Sequence, residues 1–335
     1  MNNHIIKASF AGLLETFFTD RLIKQMQASL HTIESYRDTF RLLVQFAKEY
    51  LKKAPSLLTF EDIDAPFIGA FLDHIEKDRN NTARSRNIRL SAIHAFFKFA
   101  ALHEPNHSGL IQRVLAIPHK KYDRTSIDFL KRSEIDAILA MPDQNTWIGR
   151  RDRTLLLILA QTGLRVSELI GLHCHDIIFN GGAYVHCIGK GRKERCTPLR
   201  KEAVVAMRSW LKERNGQPTD VLFPNSQGYP LSRDSIEYIV SKYVTAAQNI
   251  CLTLENRRVS PHVFRHSIAM ELLQNGVDLA VIALWLGHES IETTQIYIHA
   301  NMQLKEKALA QTNPFNIHIK RYKPNDQLLA FLNSL

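Results

Sequence analysis

The run RRDRTLLLILAQTGLRVSELIGL, Arg150 to Leu172, limits the possible folds of this chain more than any other stretch. Its aliphatic centre, Leu155–Ala160, suits a buried helix, but Gly163 stops that helix and a second helical pattern restarts at once. The break leaves Arg165 at the start of a new turn. Three short β-rich runs follow, DIIF, AYVHCI and ERCTPL, joined first by Asn180-Gly181 and then by Gly189-Lys190-Gly191. Junctions of this kind mark hairpins. Helical spacing then returns until Ala310. The pattern predicts a mainly α fold with a small antiparallel β-sheet.

Ahead of this region the chain reads as helix up to about Leu102. Thr32 precedes IESYRDTFRLLVQFAKEYL, where Tyr36, Phe40, Leu43 and Phe46 recur at helical spacing. Thr59 and Asp62 form a capping-box pattern before FIGAFLDHIEK. The stretch NTARSRNIRLSAIHAFFKFAAL carries Ile88, Ile93, Phe96 and Phe97 toward a core, with Arg84, Arg86 and Arg89 on the other side. We expect a helical bundle over residues 8–102 with a basic edge. Pro105, Gly109, Pro118 and the polar run HKKYDRTS suggest a linker over 103–128, in which SGLIQRVLAI can form a short helix. A second domain, 129–310, starts at Phe129, with Ser133 capping a helix through IDAIL. In the tail, 311–335, a basic connector HIKRYK leads to DQLLAFLNSL. There Asp326 can cap a helix bearing an apolar stripe of Leu328, Phe331, Leu332 and Leu335. That stripe can fold back or dock on a neighbouring molecule.

The 335 residues suffice for two domains, and 43 Lys+Arg against 33 Asp+Glu give a net charge of +10. Such an excess favours a polyanionic partner, without separating nucleic acid from an acidic membrane surface. Lys7 and Glu15 interrupt any apolar segment of signal-peptide length, and Leu155–Ala160 is too short to span a bilayer. Cys174, Cys187, Cys196 and Cys251 show no CxxC pairing, which fits a reduced, cytoplasmic protein. The HCHD of His173 to Asp176, with His186 and Cys187, invites a zinc reading. Adjacent residues of a strand point to opposite faces, however, so few of these could converge.

In SPHVFRH, Ser260 to His266, a cap serine and a first-turn proline start a helix. His262 and Arg265 then share a face beside a helix N-terminus, which attracts anions. Taken alone, a solvent-facing His/Arg pair is the plainer reading. Lys190 sits at a glycine-flanked hairpin tip followed by Arg192, Lys193 and Arg195. The tip is either a solvated turn or a mobile cation able to reach a phosphate. Gly287 closes VDLAVIALWL, so His288 emerges in a turn and Tyr297 follows on the next helix.

In this order Arg165, Lys190, His262-x-x-Arg265, His288 and Tyr297 resemble the tyrosine recombinase (phage integrase) family. TGLRVSEL, GKGRKER, HVFRHS and LLQNGVDLAVIALWLGHESIETTQIY carry the resemblance over 129–310. The N-terminal bundle is similar in general style, through TIESYRDTFRLLVQFA and RLSAIHAFFKFA, to a core-binding (SAM-like) domain. Phe264 stands where leucine is more usual, and the interval before SPHVFRH, containing LTLENRRV, is long.

The resemblance implies a site-specific recombinase that cuts and rejoins DNA through a 3′-phosphotyrosine, with Tyr297 as nucleophile. Arg165 and Arg265 would clamp the non-bridging oxygens and Lys190 would protonate the departing 5′-oxygen. His262 would assist proton transfer at the tyrosine and His288 would hydrogen-bond the phosphate. Glu168, one turn after Arg165, would orient that arginine. Arg84, Arg86, Arg89, Arg192, Lys193 and Arg195 are candidate DNA contacts. The phosphotyrosine bond retains the energy of the broken phosphodiester, so neither metal nor cofactor is expected. The implied partners are double-stranded DNA at specific core sites and a homotetramer holding two of them, assembled from monomers, with no membrane. Integration, excision or transposition of a mobile element is the first expectation, and a Xer-like resolvase of chromosome or plasmid dimers the second.

Three further readings compete. QNGVDLAVIALWLGHESIETT has helix-turn-helix spacing, but a transcription regulator leaves Lys190 and HxxR unexplained. A type IB topoisomerase shares the nucleophile chemistry, whereas the two-domain layout and LGHESIETT favour a recombinase. A recombinase fold without activity is opposed by the complete residue set.

Overall fold

The computed structural model describes residues 9–123, 127–189 and 193–300. The expectations for Lys190, Arg192 and the tail 311–335 lie outside these residues. The chain divides into two compact units between residues 124 and 125.

The first unit contains α1 (Phe10–Thr16), which runs into a π-helical segment (Phe17–Gln25), then α2 (Leu30–Leu51), α3 (Ala65–Lys77), α4 (Ala83–Ala100) and α5 (Ser108–Leu115). Two starts differ from those read in the sequence. The Ser29 hydroxyl caps α2 by accepting the Thr32 N–H. Asp64 caps α3 by accepting the Phe67 N–H, with Pro66 in the first turn. Thr59 does pair with Asp62, but this closes the single turn Glu61–Ile63 that precedes α3.

Phe10, Phe17 and Phe40 meet Phe96 edge-on, with ring centroids 5.4–5.6 Å apart. Ile111 and Val114 of α5 join this core, so the helix within the supposed linker packs in the first unit. The basic edge of α4 is smaller than expected. Arg86 is buried beside Glu76 and Asn87, while Ile88 is 50% exposed. At about 100° per residue, Arg86 shares the inward row of Leu90, Ile93 and Phe97, and Ile88 falls on the opposite side. Arg84 is exposed and Arg89 half-buried.

The second unit begins with α6 (Arg132–Ala140), α7 (Trp147–Thr162) and α8 (Val166–Ile170). Glu134, not Ser133, closes the start of α6 by accepting the Lys131 N–H. A three-stranded antiparallel sheet follows, β1 (Ile177–Ile178), β2 (Tyr184–Ile188) and β3 (Glu194–Pro198), in spatial order β1-β2-β3. Then come α9 (Lys201–Arg214), α10 (Arg233–Gln248), α11 (Pro261–Gln274), α12 (Leu279–Leu286) and α13 (Glu292–Ala300). The fold is thus mostly helical with one small antiparallel sheet.

Leu155, Leu156, Ile158 and Leu159 bury α7 at the centre of this unit, where burial of each side chain contributes roughly 1.5–3 kcal/mol. A buried trio fastens α7 to α10: Arg151 and the Tyr243 hydroxyl both donate to the Asp152 carboxylate. Gly163 closes α7 at φ +63, and a Cβ there would lie 2.7 Å from Ile268 Cγ2 and 3.0 Å from Leu286 Cδ2. Gly163→Ala therefore meets both a left-handed backbone and a clash, and should cost more than about 1 kcal/mol in equilibrium denaturation. Unchanged stability would show that this helix end is not constrained as described.

Candidate active site

Glu168, in the first turn of α8, organises the entrance to this site. Its Oε2 accepts the Arg165 backbone N–H at 2.7 Å and its Oε1 accepts Arg165 Nη1 at 2.8 Å. Arg195 of β3 donates to the same two oxygens, at 2.9 and 2.7 Å. Burial alone would raise the Glu168 carboxyl, but Arg195 and then Arg165 outweigh it and bring the pKa down to about 2. The packing leaves little room, since a Cβ on Gly287 would lie 2.8 Å from Arg195 Nη1.

The arginines are also tied to helix ends. Arg265 of α11, 3% exposed, donates to the Gly163 carbonyl at 2.7 Å and the Leu286 carbonyl at 2.6 Å. Arg165 Nη2 donates to the Gly287 carbonyl at 2.9 Å. Gly163 and Gly287 terminate α7 and α12 in left-handed conformations, so these carbonyls belong to the negative ends of two helices. Burial, followed by the charge of Arg165, brings Arg265 down to about 10. Three guanidiniums thus gather around the Glu168 carboxylate, an excess of positive charge suited to a phosphate.

His288 follows Gly287, and its Nδ1 meets Thr294 Oγ1 at 2.8 Å. Its ring lies parallel to that of Tyr297, centroids 6.5 Å apart. Tyr297 is 1% exposed, and its hydroxyl lies 3.0 Å from His266 Nδ1. Burial raises the Tyr297 pKa against the opposing charges of Arg265 and Arg165. Burial also lowers His266 and His288, each to about 4, assisted by neighbouring histidine and arginine charges. A protonated phenol thus faces a neutral imidazole, and with the ring proton on Nε2 the phenol donates to Nδ1. His262 is exposed and also lowered, by desolvation and then by Arg265 and Arg165; its ring centroid is 5.5 Å from that of His266.

The structure brings together Arg165, Glu168, Arg265, His288 and Tyr297, with His262 at the rim. The ring bonded to the tyrosine is nevertheless His266, where the sequence reading gave the proton-transfer part to His262. Arg195, expected to face DNA, is turned inward onto Glu168, its side chain 9% exposed. Both have a sequence signal. His266 is one helical turn after His262, and Arg195 shares the inward face of β3 with buried Thr197. Lys193 is exposed. His173, His175 and His186 lie 3.5–3.7 Å from the Asp176 carboxylate. Among the described residues no group of three or more His, Cys, Asp or Glu is arranged to hold a metal ion, and no helix is long and apolar enough to cross a membrane.

A recessed tyrosine and three gathered guanidiniums on this helical fold define the protein class, and comparison with known proteins agrees. Residues 128–304 match the phage integrase family, and residues 16–104 match the phage integrase N-terminal SAM-like domain. The chain belongs to the phage integrase family and is a site-specific tyrosine recombinase. It is 55% identical over 328 residues to the Sinorhizobium fredii protein y4rC, which carries a provisional integrase/recombinase name; 98% of this chain and 99% of that protein are covered. It is 34% identical over 291 residues to the tyrosine recombinase XerD of Staphylococcus aureus, covering 85% and 93%. Its fold is similar to that of the XerH site-specific recombinase bound to difH in a pre-cleavage complex, with TM-score 0.64, 24% identity and coverage of 90% and 84%.

Glu168→Gln should cost about 3–5 kcal/mol, because it leaves two guanidiniums without their buried counter-charge. The folded pKa lies below the unfolded one, so the wild-type contribution is complete above about pH 5 and is lost toward pH 2. Urea denaturation across that range should show the dependence in the wild type and a weaker one in the variant. Superimposable curves would contradict it.

Proposed function

We propose that Tyr297 attacks a scissile phosphate of double-stranded DNA, forming a 3′-phosphotyrosine and releasing a 5′-hydroxyl, which in the reverse step rejoins the strand. The observation that carries this reading is the excess of fixed positive charge beside Tyr297. Arg165 and Arg265 neutralise the non-bridging oxygens, whose charge grows in the transition state. Their guanidiniums are already oriented by helix-end carbonyls and Glu168, so little reorganisation accompanies the reaction. His288 has Nδ1 engaged with Thr294, leaving Nε2 to donate to the phosphate. Lys190 is the general acid for the 5′-oxygen. Guanidinium charge does the work a metal ion would do, and strand cleavage proceeds in EDTA.

Arg84, Lys193 and Arg192 contribute to holding the DNA, with residues 8–102 and the α5 helix that packs on them as the core-binding domain and 129–310 as the catalytic domain. Four protomers, monomeric when free, assemble on two core sites in the cytoplasm. Movement of a mobile element is the role best supported by the integrase/recombinase name of the 55% identical relative. Dimer resolution is the second reading, supported by the 34% identity to XerD. Sequencing the DNA ends bound to the protein in cells separates the two, since element termini and chromosomal or plasmid resolution sites differ.

Two variants test the chemistry on a nicked suicide substrate resolved by denaturing gel. Tyr297→Phe should bind DNA and form no covalent adduct; a persisting adduct would remove Tyr297 from its role. Arg265→Ala should slow cleavage about 10²–10³-fold. Its DNA affinity should change far less, because binding is spread over many phosphate contacts. Equal losses in binding and cleavage would make Arg265 a positioning residue.

A further inference from the structure

We infer that His266 is the base that takes the Tyr297 proton during attack, and that His262 passes the proton on to solvent. This rests on Tyr297 being the nucleophile.

The geometry narrows the choice of acceptor. Tyr297 is 1% exposed, so bulk water does not reach its hydroxyl in this conformation. The 3.0 Å separation from His266 Nδ1 lies within proton-transfer reach. His288 presents its ring face to the tyrosine ring and has Nδ1 on Thr294. Arg165 and Arg265 carry guanidinium groups, which offer donors and no acceptor, so they can stabilise the phenolate but not take its proton.

The charges around His266 suit a group that gains a proton briefly. Arg265 and His262 of α11 act against the imidazolium, while Asp128, in the segment before α6, acts in its favour. Asp128 is also paired with Arg257. Among the described residues, Tyr297 of α13 and His288, between α12 and α13, also face the ring. His262 lies one turn away on the same helix, exposed, with its ring centroid 5.5 Å from that of His266. The histidines therefore form a short ladder from a sealed hydroxyl to the surface.

The step balances. As the tyrosine oxygen bonds to phosphorus, its proton moves to His266 Nδ1. The bond from phosphorus to the 5′-oxygen breaks, and that oxygen takes a proton from Lys190. His266 returns to neutral by losing its proton through His262. In rejoining, the 5′-hydroxyl attacks phosphorus and gives its proton to the Lys190 amine, the bond from phosphorus to the tyrosine oxygen breaks, and that oxygen takes a proton from His266, which His262 has resupplied from solvent.

His266→Asn provides the test, because its side-chain oxygen can accept the same hydrogen bond but does not act as a proton carrier. On the suicide substrate, His266→Asn and His266→Ala should both cleave about 10²-fold or more slowly than wild type, while each still binds a labelled site. Cleavage by His266→Asn within a few-fold of wild type would reduce His266 to positioning and overturn the inference. Fluorotyrosine at position 297, a more acidic phenol, should recover at least about 10-fold of the His266→Asn loss, in line with weaker demand for a base. No recovery would also overturn it. His262→Ala should be slowed less and be rescued by imidazole buffer, and failure of that rescue would remove His262 from the path. Tyr297→Phe, run alongside, keeps the failures apart. An adduct in that variant sinks the nucleophile assignment, whereas its absence combined with a wild-type rate in His266→Asn sinks only the base.

Discussion

One buried carboxylate holds two guanidiniums from different parts of the chain in a fixed relation. Glu168 accepts from Arg165, three residues before it, and from Arg195 on β3. Without that negative charge the two cations would be desolvated beside each other and beside Arg265, an arrangement that low-polarity surroundings penalise strongly. Arg265 uses a different device. Its donors meet carbonyls that α7 and α12 leave unpaired where they end. Glycine at 163 and 287 permits both ends, because each needs a positive φ and neither has space for a Cβ. Helix termination and charge placement are therefore one feature of the sequence.

The same surroundings set the protonation states. Burial keeps Tyr297 a phenol and keeps His266 and His288 neutral, so neighbouring groups that could repel as cations instead hydrogen-bond and stack. The positive charge stays on the arginines, where two fixed forks can meet an anion. A phosphate entering this site would find its electrostatic partners in place beside a tyrosine hydroxyl already bonded to an imidazole.

Much of this was legible in the sequence because it depends on local chemistry. The stop at Gly163, the three β-runs and the closing Gly287 follow from turn and cap preferences, and they locate Arg165 and His288. The misplaced helix starts share a cause. Ser29 competes with Thr32, Asp64 with Thr59 and Asp62, and Glu134 with Ser133, and each neighbour is chemically able to cap. Tertiary packing decides among them. Arg86 and Ile88 were exchanged because residue type was given more weight than angle around α4. His266 was missed for a different reason. Its place one turn after His262 is legible, but its bond to Tyr297 depends on α13 returning against α11, a contact spanning 31 positions.

The central claim, that this charge cluster directs a phosphate to Tyr297, is tested most directly by locating the covalent bond. A recombinase–DNA adduct trapped on a suicide substrate would be digested with protease and nuclease, and the nucleotide-bearing peptide sequenced by mass spectrometry. The nucleotide should be found on the Tyr297 oxygen through a 3′-phosphate. Attachment to another residue, or through a 5′-phosphate, would contradict the account.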